Sequence, residues 1–359
     1  MKVLQLGKFY PILGGVEKVM WELTEGLGGA GIDCDMLCAG KTSQIIPINE
    51  RARCICVKAI FKAAATMISP AMITYLRRHC AEYDVIHIHH PDPMAALALR
   101  LCGYKGKVVF HWHSDILKQR ILLKFYLPLQ NWVVNRANTI VGTSPVYVQE
   151  SPYLQGVQDK LTYLPIGVDP VPEVKTELGE YITVFSLGRL VGYKGYKYLV
   201  EAAKYLPDNY RIVIGGEGPL KQELQKQIKA EGLETKVSLL GRVPQEKLPE
   251  LFASCSVFCL SSIWKTEAFG IVQIEAMSCG KPVVATCIPG SGVSWVNEHG
   301  CSGLNVEPCD AKELADAIMQ ITSDPGTYQR FCKGAKERFR AMFTKQAMIE
   351  KCIEIYNKL

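Results

Sequence analysis

Short runs of apolar and β-branched residues alternate with longer stretches in which apolar positions recur every three or four residues. The short runs predict strands at Val3–Gly7, Asp33–Cys38, Val85–His89, Lys107–His111 and Thr139–Gly142. Helical patterns such as Val16–Leu27 and Pro93–Leu101 fill the gaps. Strand and helix in turn predict a parallel sheet with crossover helices. The alternation stops at Leu161–Thr176, where Pro165, Pro170 and Pro172 fall within eight residues and suit an exposed connector. It restarts with strands at Thr183–Leu187, Arg211–Gly215, Val237–Leu239, Val257–Leu260 and Pro282–Thr286. The expected fold class is α/β, with two Rossmann-like doubly wound domains at residues 1–170 and 171–343. A last helix at about 344–359 is able to pack back on the first. A length of 359 residues agrees with two domains. Ligands of such sheets bind at the carboxyl ends of the strands, so chemistry is expected in those loops.

Composition changes this picture little: 48% hydrophobic and 21% charged residues are an ordinary globular balance. Charge adds more. Residues 1–170 hold 18 Lys and Arg against 13 Asp and Glu, whereas residues 171–359 hold 23 against 22. The stretches 51–81 and 116–149 contain no acidic residue. Such a basic face suits an anionic membrane or nucleic acid, or is simply solvated. The fourteen cysteines form no Cys-x-x-Cys pair, and many sit inside apolar runs, which reads as buried free thiols rather than disulfides or a zinc site. The start of the chain enters a strand directly, without a signal peptide, and no run approaches 18 uncharged apolar residues. A cytoplasmic protein is expected, with peripheral docking on a membrane left open.

Candidate chemistry gathers at the loops. After the first strand, Gly14 and Gly15 precede a helix, where free amides favour an anion, although a plain strand-to-helix turn has the same form. His111-Trp-His113-Ser-Asp115 ends a strand, with both histidines on one side; a cleft-facing imidazole and a hydrogen-bonded structural one are both open. His87, His89 and His90 form a second cluster, for which no further metal ligand is evident. Asp33-Cys-Asp35 has the form of a metal-binding pair, but it lies within a strand, with its carboxylates expected outward and Cys34 and Met36 inward.

The second half says more. Gly188-Arg189-Leu190 with Lys194-Gly195 sets a planar fork and a point charge five residues apart, fit to clamp a diphosphate; an exposed basic pair is the plain alternative. In Glu267-Ala-Phe269-Gly270-Ile271-Val-Gln-Ile-Glu275, two carboxylates bracket a helix start. The opening amides at 269–272 suit a phosphate, Glu267 the hydroxyls of a sugar, and Glu275 those of a ribose.

These segments together resemble the retaining glycosyltransferases of family 4, which have the GT-B fold, over essentially the whole chain. Glu267 and Glu275 are the most diagnostic pair. Leu164-Pro-Ile-Gly-Val-Asp169, Gly216-Glu-Gly-Pro219 and Gly241-Arg-Val243 also fit. The resemblance implies that Arg189 and Lys194 hold the donor diphosphate and stabilise the leaving group. It implies that Glu275 binds ribose, Glu267 the transferred sugar, and the backbone of Phe269, Gly270 and Ile271 a phosphate. Gly14 and Gly15 would approach the phosphate from the other domain across a cleft, backbone around Gly241 and Val243 would touch the base, and His113 would lie near the anomeric carbon. Tyr10, Glu17, Asp115 and Lys118 are the acceptor-side candidates. No metal and no cofactor are implied, and nucleic acid is not a partner. The form of His111–Asp115 looks like that of bacterial polysaccharide mannosyltransferases, which favours GDP-mannose over a UDP-sugar as donor. The implied acceptor is a glycan or polyprenyl-diphosphate-linked glycan of O-antigen or capsule assembly. Trp264-Lys-Thr266, before the first glutamate, departs from the usual pattern and bears on the sugar pocket. A nucleotide-sugar epimerase, a phosphorylase or a non-catalytic nucleotide-sugar-binding subunit are the alternatives on the same architecture.

Overall fold

The computed structural model describes the chain except residues 13, 64–65, 117–119 and 172–176, and the side chains of residues 120 and 121. The acceptor candidate Lys118 therefore lies outside the described residues. The chain divides into two compact units: Met1–Ile166 completed by Lys345–Leu359, and Gly167–Thr344.

The strands of the first unit are β1 (Lys2–Phe9), β2 (Asp33–Gly40), β3 (Gln44–Asn49), β4 (Ala52–Lys58), β5 (Phe61–Ala63), β6 (Thr66–Ile68), β7 (Val85–His90), β8 (Lys107–Trp112), β9 (Thr139–Gly142) and β10 (Leu161–Tyr163). Eight of them form one sheet in the order β10-β9-β8-β7-β1-β2-β4-β3, and β5 and β6 form a separate hairpin. Only β3, on the edge of the large sheet, runs antiparallel. It carries Pro47, which an edge strand tolerates because that side of the ladder needs no donor. The strand order changes direction between β1 and β7, so their loops open at a switch point, where α/β sheets take ligands.

Buried apolar side chains fill the faces of this sheet, among them Leu4, Leu6, Leu37, Ile86 and Phe110. One polar expectation changes. Asp33 is exposed and pairs with Arg51 at 3.1 Å, but Asp35 is buried. It accepts from Arg53 Nε at 2.8 Å and from Tyr83 Oη at 2.7 Å, so the second carboxylate ties β2 to β4 instead of facing outward. All fourteen cysteines are free thiols. The closing helix, Lys345–Asn357, belongs to the first unit. Lys345 pairs with Glu25 on the first helix, Gly15–Gly29. Gly26 on that helix leaves room for Ile349, which a Cβ there would approach to 2.5 Å.

The second unit holds β11 (Ile182–Leu187), β12 (Tyr210–Gly215), β13 (Val237–Gly241), β14 (Val257–Leu260), β15 (Val283–Thr286) and β16 (Gly303–Val306). All are parallel, in the order β13-β12-β11-β14-β15-β16. Its switch point falls between β11 and β14, the strands that lead to Arg189 and Glu267. Val184, Ile214, Val257, Val284 and Ile318 are among the side chains of its core.

Candidate functional site

In the second unit, four loops converge on the carboxyl ends of β11 to β14. Leu190 N donates to Glu217 O at 3.0 Å and Ile263 N to Tyr193 O at 2.8 Å, while Ser261 Oγ donates to Lys194 O at 2.9 Å. Close backbone approach explains the glycines. A Cβ on Gly216 would meet Gly188 O at 1.9 Å, and one on Gly195, which sits at φ 65°, would meet Ser261 O at 2.0 Å. Lys194 is thereby held inward, and its Nζ lies 2.5 Å from Glu267 Oε2; the two side chains are 10% and 12% exposed. Ser262 Oγ donates to the same carboxylate oxygen at 3.0 Å. The candidate diphosphate cation and the candidate sugar carboxylate are thus one ion pair. Arg189 is different: it is exposed, and among the described residues no hydrogen bond or ion pair engages its guanidinium.

The helix Ile271–Ser278 starts at Gly270, which has φ 76°. Gln273 N donates to Gly270 O at 2.9 Å, and the amides ahead of it have no intrahelical acceptor, as at any helix N-terminus. Phe269 is buried, with its ring edge-on to Phe343 at 5.9 Å, so only its backbone is open to a ligand. Glu275, half-buried, is the fifth residue of this helix. Gly241 has φ 71°, and a Cβ there would meet Glu217 Oε1 at 2.9 Å. Val243 packs so near Gly215 that a Cβ on the glycine would come within 2.8 Å of it.

In the first unit, Gly14 caps the helix Gly15–Gly29 with extended backbone. Glu17 folds back beneath it, and a Cβ on Gly14 would overlap the Glu17 carboxylate at 2.1 Å. Glu17 is buried and Tyr10 half-buried, packed against the cluster of Met20, Met36 and Cys38. Glu17 does not present the open side chain expected of an acceptor ligand, whereas Tyr10 stays partly exposed. Asp115 departs further from expectation. It is buried, and its Oδ1 accepts from Trp112 Nε1 and Ser151 Oγ, both at 2.8 Å, which spends the carboxylate on holding the strand end. Sequence reasoning passed over Lys8. It takes a left-handed backbone with φ 60°, its amide donates to Asp92, and Asp92 also caps the helix Pro93–Cys102 through Met94 N and Ala95 N. Burial lowers the Lys8 pKa and raises that of Asp92.

The histidines meet on one face. β7 pairs in register with β8, His89 opposite His111, and β1 pairs with β7, Gln5 opposite His87. His111 and His113 stack at 3.9 Å between ring centres, and His87 and His89 at 4.8 Å. A third nitrogen ligand that the sequence did not offer now exists: His87, His89 and His111 place ligand atoms within 4.8 Å of one another. However, both ring nitrogens of His87 and of His89 are already hydrogen-bonded. His90 leaves on the other face, where it stacks on Trp112 at 4.0 Å. Burial pulls all five imidazoles down, His111 to about 3 and the others well below the usual histidine range, so they are neutral near pH 7.

Two doubly wound α/β units, one carrying a cationic glycine loop and a carboxylate-bracketed helix at its switch point, are the parts of a GT-B glycosyltransferase. Solved structures agree on the fold. Sucrose-phosphate synthase from Thermosynechococcus elongatus superimposes with a TM-score of 0.78 at 21% identity, covering 100% of this chain and 99% of that one. Anabaena HepE in complex with UDP gives 0.78 at 20% identity, covering 100% of both. Residues 13–171 match the model of Glycosyltransferase Family 4, and residues 171–338 that of Glycosyl transferases group 1. The chain is 30% identical to O-antigen chain mannosyltransferase C of Escherichia coli, across 100% of this chain and 99% of that protein. It is 32% identical to D-rhamnosyltransferase WbpZ of Pseudomonas aeruginosa, across 96% and 92%. The chain belongs to glycosyltransferase family 4, and its activity is that of a glycosyltransferase.

Proposed function

We propose that the protein moves a hexose, mannose before others, from a nucleotide diphosphate sugar to a lipid-linked glycan in cell-surface polysaccharide assembly, with retention of anomeric configuration and without a metal or cofactor. The observation that carries this reading is the Lys194–Glu267 pair at the β11/β14 switch point, with the open guanidinium of Arg189 beside it in sequence. As the sugar–phosphate bond breaks, negative charge grows on the departing diphosphate. A cation already held in place by Glu267, joined by Arg189 and helix amides, stabilises that charge without reorganising. Fixed protein cations supply what a metal otherwise would. In this reading Glu267 is the group that takes the sugar hydroxyls, and His113 is the imidazole assigned to the reacting sugar. The acceptor hydroxyl attacks from the face the diphosphate leaves, and its proton passes to the leaving phosphate. D-rhamnose is mannose without its 6-hydroxyl, so the two relatives named for these sugars favour a manno-configured donor.

The test is incubation with GDP-mannose, GDP-D-rhamnose and UDP-glucose beside a polyprenyl-diphosphate-linked glycan, with the new linkage read by NMR. An α-linkage from an α-donor is expected; a β-linkage, or no transfer from any donor, defeats the reading. Turnover is expected to be unchanged in excess EDTA, and a loss that Mg2+ or Mn2+ restores would refute the role given to the fixed cations.

No described helix is long and apolar enough to cross a membrane. Peripheral docking fits the first unit. On the helix Arg120–Arg136, Leu122 and Phe125 are 53% and 81% exposed around the exposed Lys124, and the hairpin region exposes Ile60 and Phe61 next to Lys62. Apolar side chains between lysines suit an anionic bilayer surface. Leu122→Ser with Phe125→Ser is expected to weaken binding to phosphatidylglycerol vesicles about tenfold or more, with transfer to a soluble acceptor unchanged. Equal vesicle binding, measured by sedimentation, would remove this surface from consideration.

A further inference from the structure

The first unit contains one continuous hydrogen-bonded chain that the transfer chemistry leaves unused. It runs His113, His89, Gln5, Tyr356, His87, His111 and draws on three strands and the closing helix. The acceptor-only character of Gln5 Oε1 fixes the protons on the arm that leads to His113. Gln5 Nε2 donates to Tyr356 Oη at 3.0 Å. Gln5 Oε1 can only accept, so His89 Nε2 must donate to it at 2.7 Å. A neutral His89 then has a bare Nδ1, which accepts from His113 Nε2 at 2.8 Å. In the other direction, Tyr356 Oη receives from Gln5 and lies 2.6 Å from His87 Nδ1, to which its own proton can pass. His87 Nε2 carries the next proton and donates to His111 Nδ1 at 3.2 Å. The last proton falls on His111 Nε2, a buried atom without a partner among the described residues. No step in the chain conflicts with another. The hydrogen bond on one ring nitrogen decides what the other can do.

We propose that Gln5 and Tyr356 are positioning residues for His113. Acting through His89, they hold it as the Nε2–H tautomer, with a bare Nδ1 that accepts a hydrogen bond from a substrate hydroxyl. This rests on the reading of His113 as the imidazole beside the reacting sugar. The opposite tautomer would present an N–H and would suit a phosphate oxygen. The assignment therefore makes His113 a hydroxyl recogniser and leaves the diphosphate to the cations of the second unit. It also makes the state of an imidazole at residue 113 depend on the phenol of Tyr356, carried by a helix that returns to the first unit.

Tyr356→Phe removes the acceptor of Gln5 Nε2. Rotating the amide by half a turn then aims Nε2 at His89, moves the His89 proton to Nδ1 and the His113 proton to Nδ1, with no net gain or loss of protons. Histidine-selective 15N labelling with two-bond proton–nitrogen correlation reads each tautomer directly, His113 being assigned from its missing signal in His113→Ala. In the unsubstituted protein, His113 is expected to show a protonated Nε2 and a bare Nδ1. In Tyr356→Phe, and in Gln5→Met, the pattern is expected to shift toward Nδ1–H. With it kcat falls about tenfold, while the donor KM and the thermal midpoint change little. An Nδ1–H pattern in the unsubstituted protein overturns the proposal, as do unchanged kcat and tautomer in both variants. If His113→Ala transfers sugar normally while the tautomer is as assigned, it is the placement of His113 beside the sugar that fails, and the functional half of the proposal with it.

Discussion

Lys194→Ala is expected to lower kcat about 10²–10³-fold, the cost of losing one preorganised charge-stabilising group. Geometry sets the size. Lys194 is locked by the loop that Gly195 allows against Ser261, and Glu267 holds its ammonium at 2.5 Å. A cation that is already oriented spends nothing on orientation as the diphosphate leaves. Arg189 has no such restraint. Its loss should act mainly on donor binding, raising the donor KM about tenfold and sparing more of kcat. Lys194→Ala also leaves the Glu267 carboxylate largely buried without its cation, with Ser262 Oγ still donating at 3.0 Å. That costs stability on the order of 3 kcal/mol, within what a domain of this size withstands. The double variant Lys194→Ala, Glu267→Gln separates the two effects, since it should recover the thermal midpoint and not the turnover. Single-turnover transfer at saturating donor is the measurement. A Lys194→Ala rate within threefold of the unsubstituted enzyme would remove Lys194 from leaving-group stabilisation.

The elements that sequence reading placed most closely are those buried on both faces. Thr139–Gly142 and Val257–Leu260 were legible to the residue, because interior parallel strands are short apolar runs between turn signals. β3 was not, since four of its six residues are exposed and Pro47 interrupts it. Nor was the three-residue strand pair Phe61–Ala63 and Thr66–Ile68, which has no core face to impose a pattern. The candidate site divides in the same way. The helix start between Glu267 and Glu275 is local, and spacing reveals it. The pairing of Lys194 with Glu267, 73 residues apart, comes only from the order of β11 and β14 in the sheet. Period two put His87 with His89 and His111 with His113, yet nothing local points to Gln5 or to Tyr356, which lie 351 residues apart in the chain. Asp115 misled because an acid just past a strand reads as cleft-facing, and its neighbours Trp112 and Ser151 reveal themselves as donors only in three dimensions.

Acid is expected to open the first unit well before the second. Five imidazoles there are buried and neutral, with pKa values depressed by burial. In the unfolded chain each titrates near 6.5. As pH falls through that value, the unfolded state takes up protons that the folded state refuses. Stability is therefore full above about pH 6.5 and declines toward the depressed folded values. For His111, with about 3 in the folded state, the loss at pH 5 is about 2 kcal/mol relative to pH 8. The other four act in the same direction, so the losses accumulate in the first unit, where a domain's whole stability is only about 5–15 kcal/mol. Asp92, raised by burial, acts in the opposite sense, but it is one group against five. The second unit carries only His299, which is exposed. Hydrogen exchange followed by mass spectrometry from pH 8 down to pH 4.5 distinguishes the units. Protection of residues 85–90 and 107–113 should vanish between about pH 6 and pH 5, while β11 and β14 stay protected. His90→Asn removes one refused proton on the Trp112 face and should move that transition to lower pH. Protection of β7 and β8 that survives to pH 4.5 would mean that these rings accept protons in place, and the neutral relay built on them would fall.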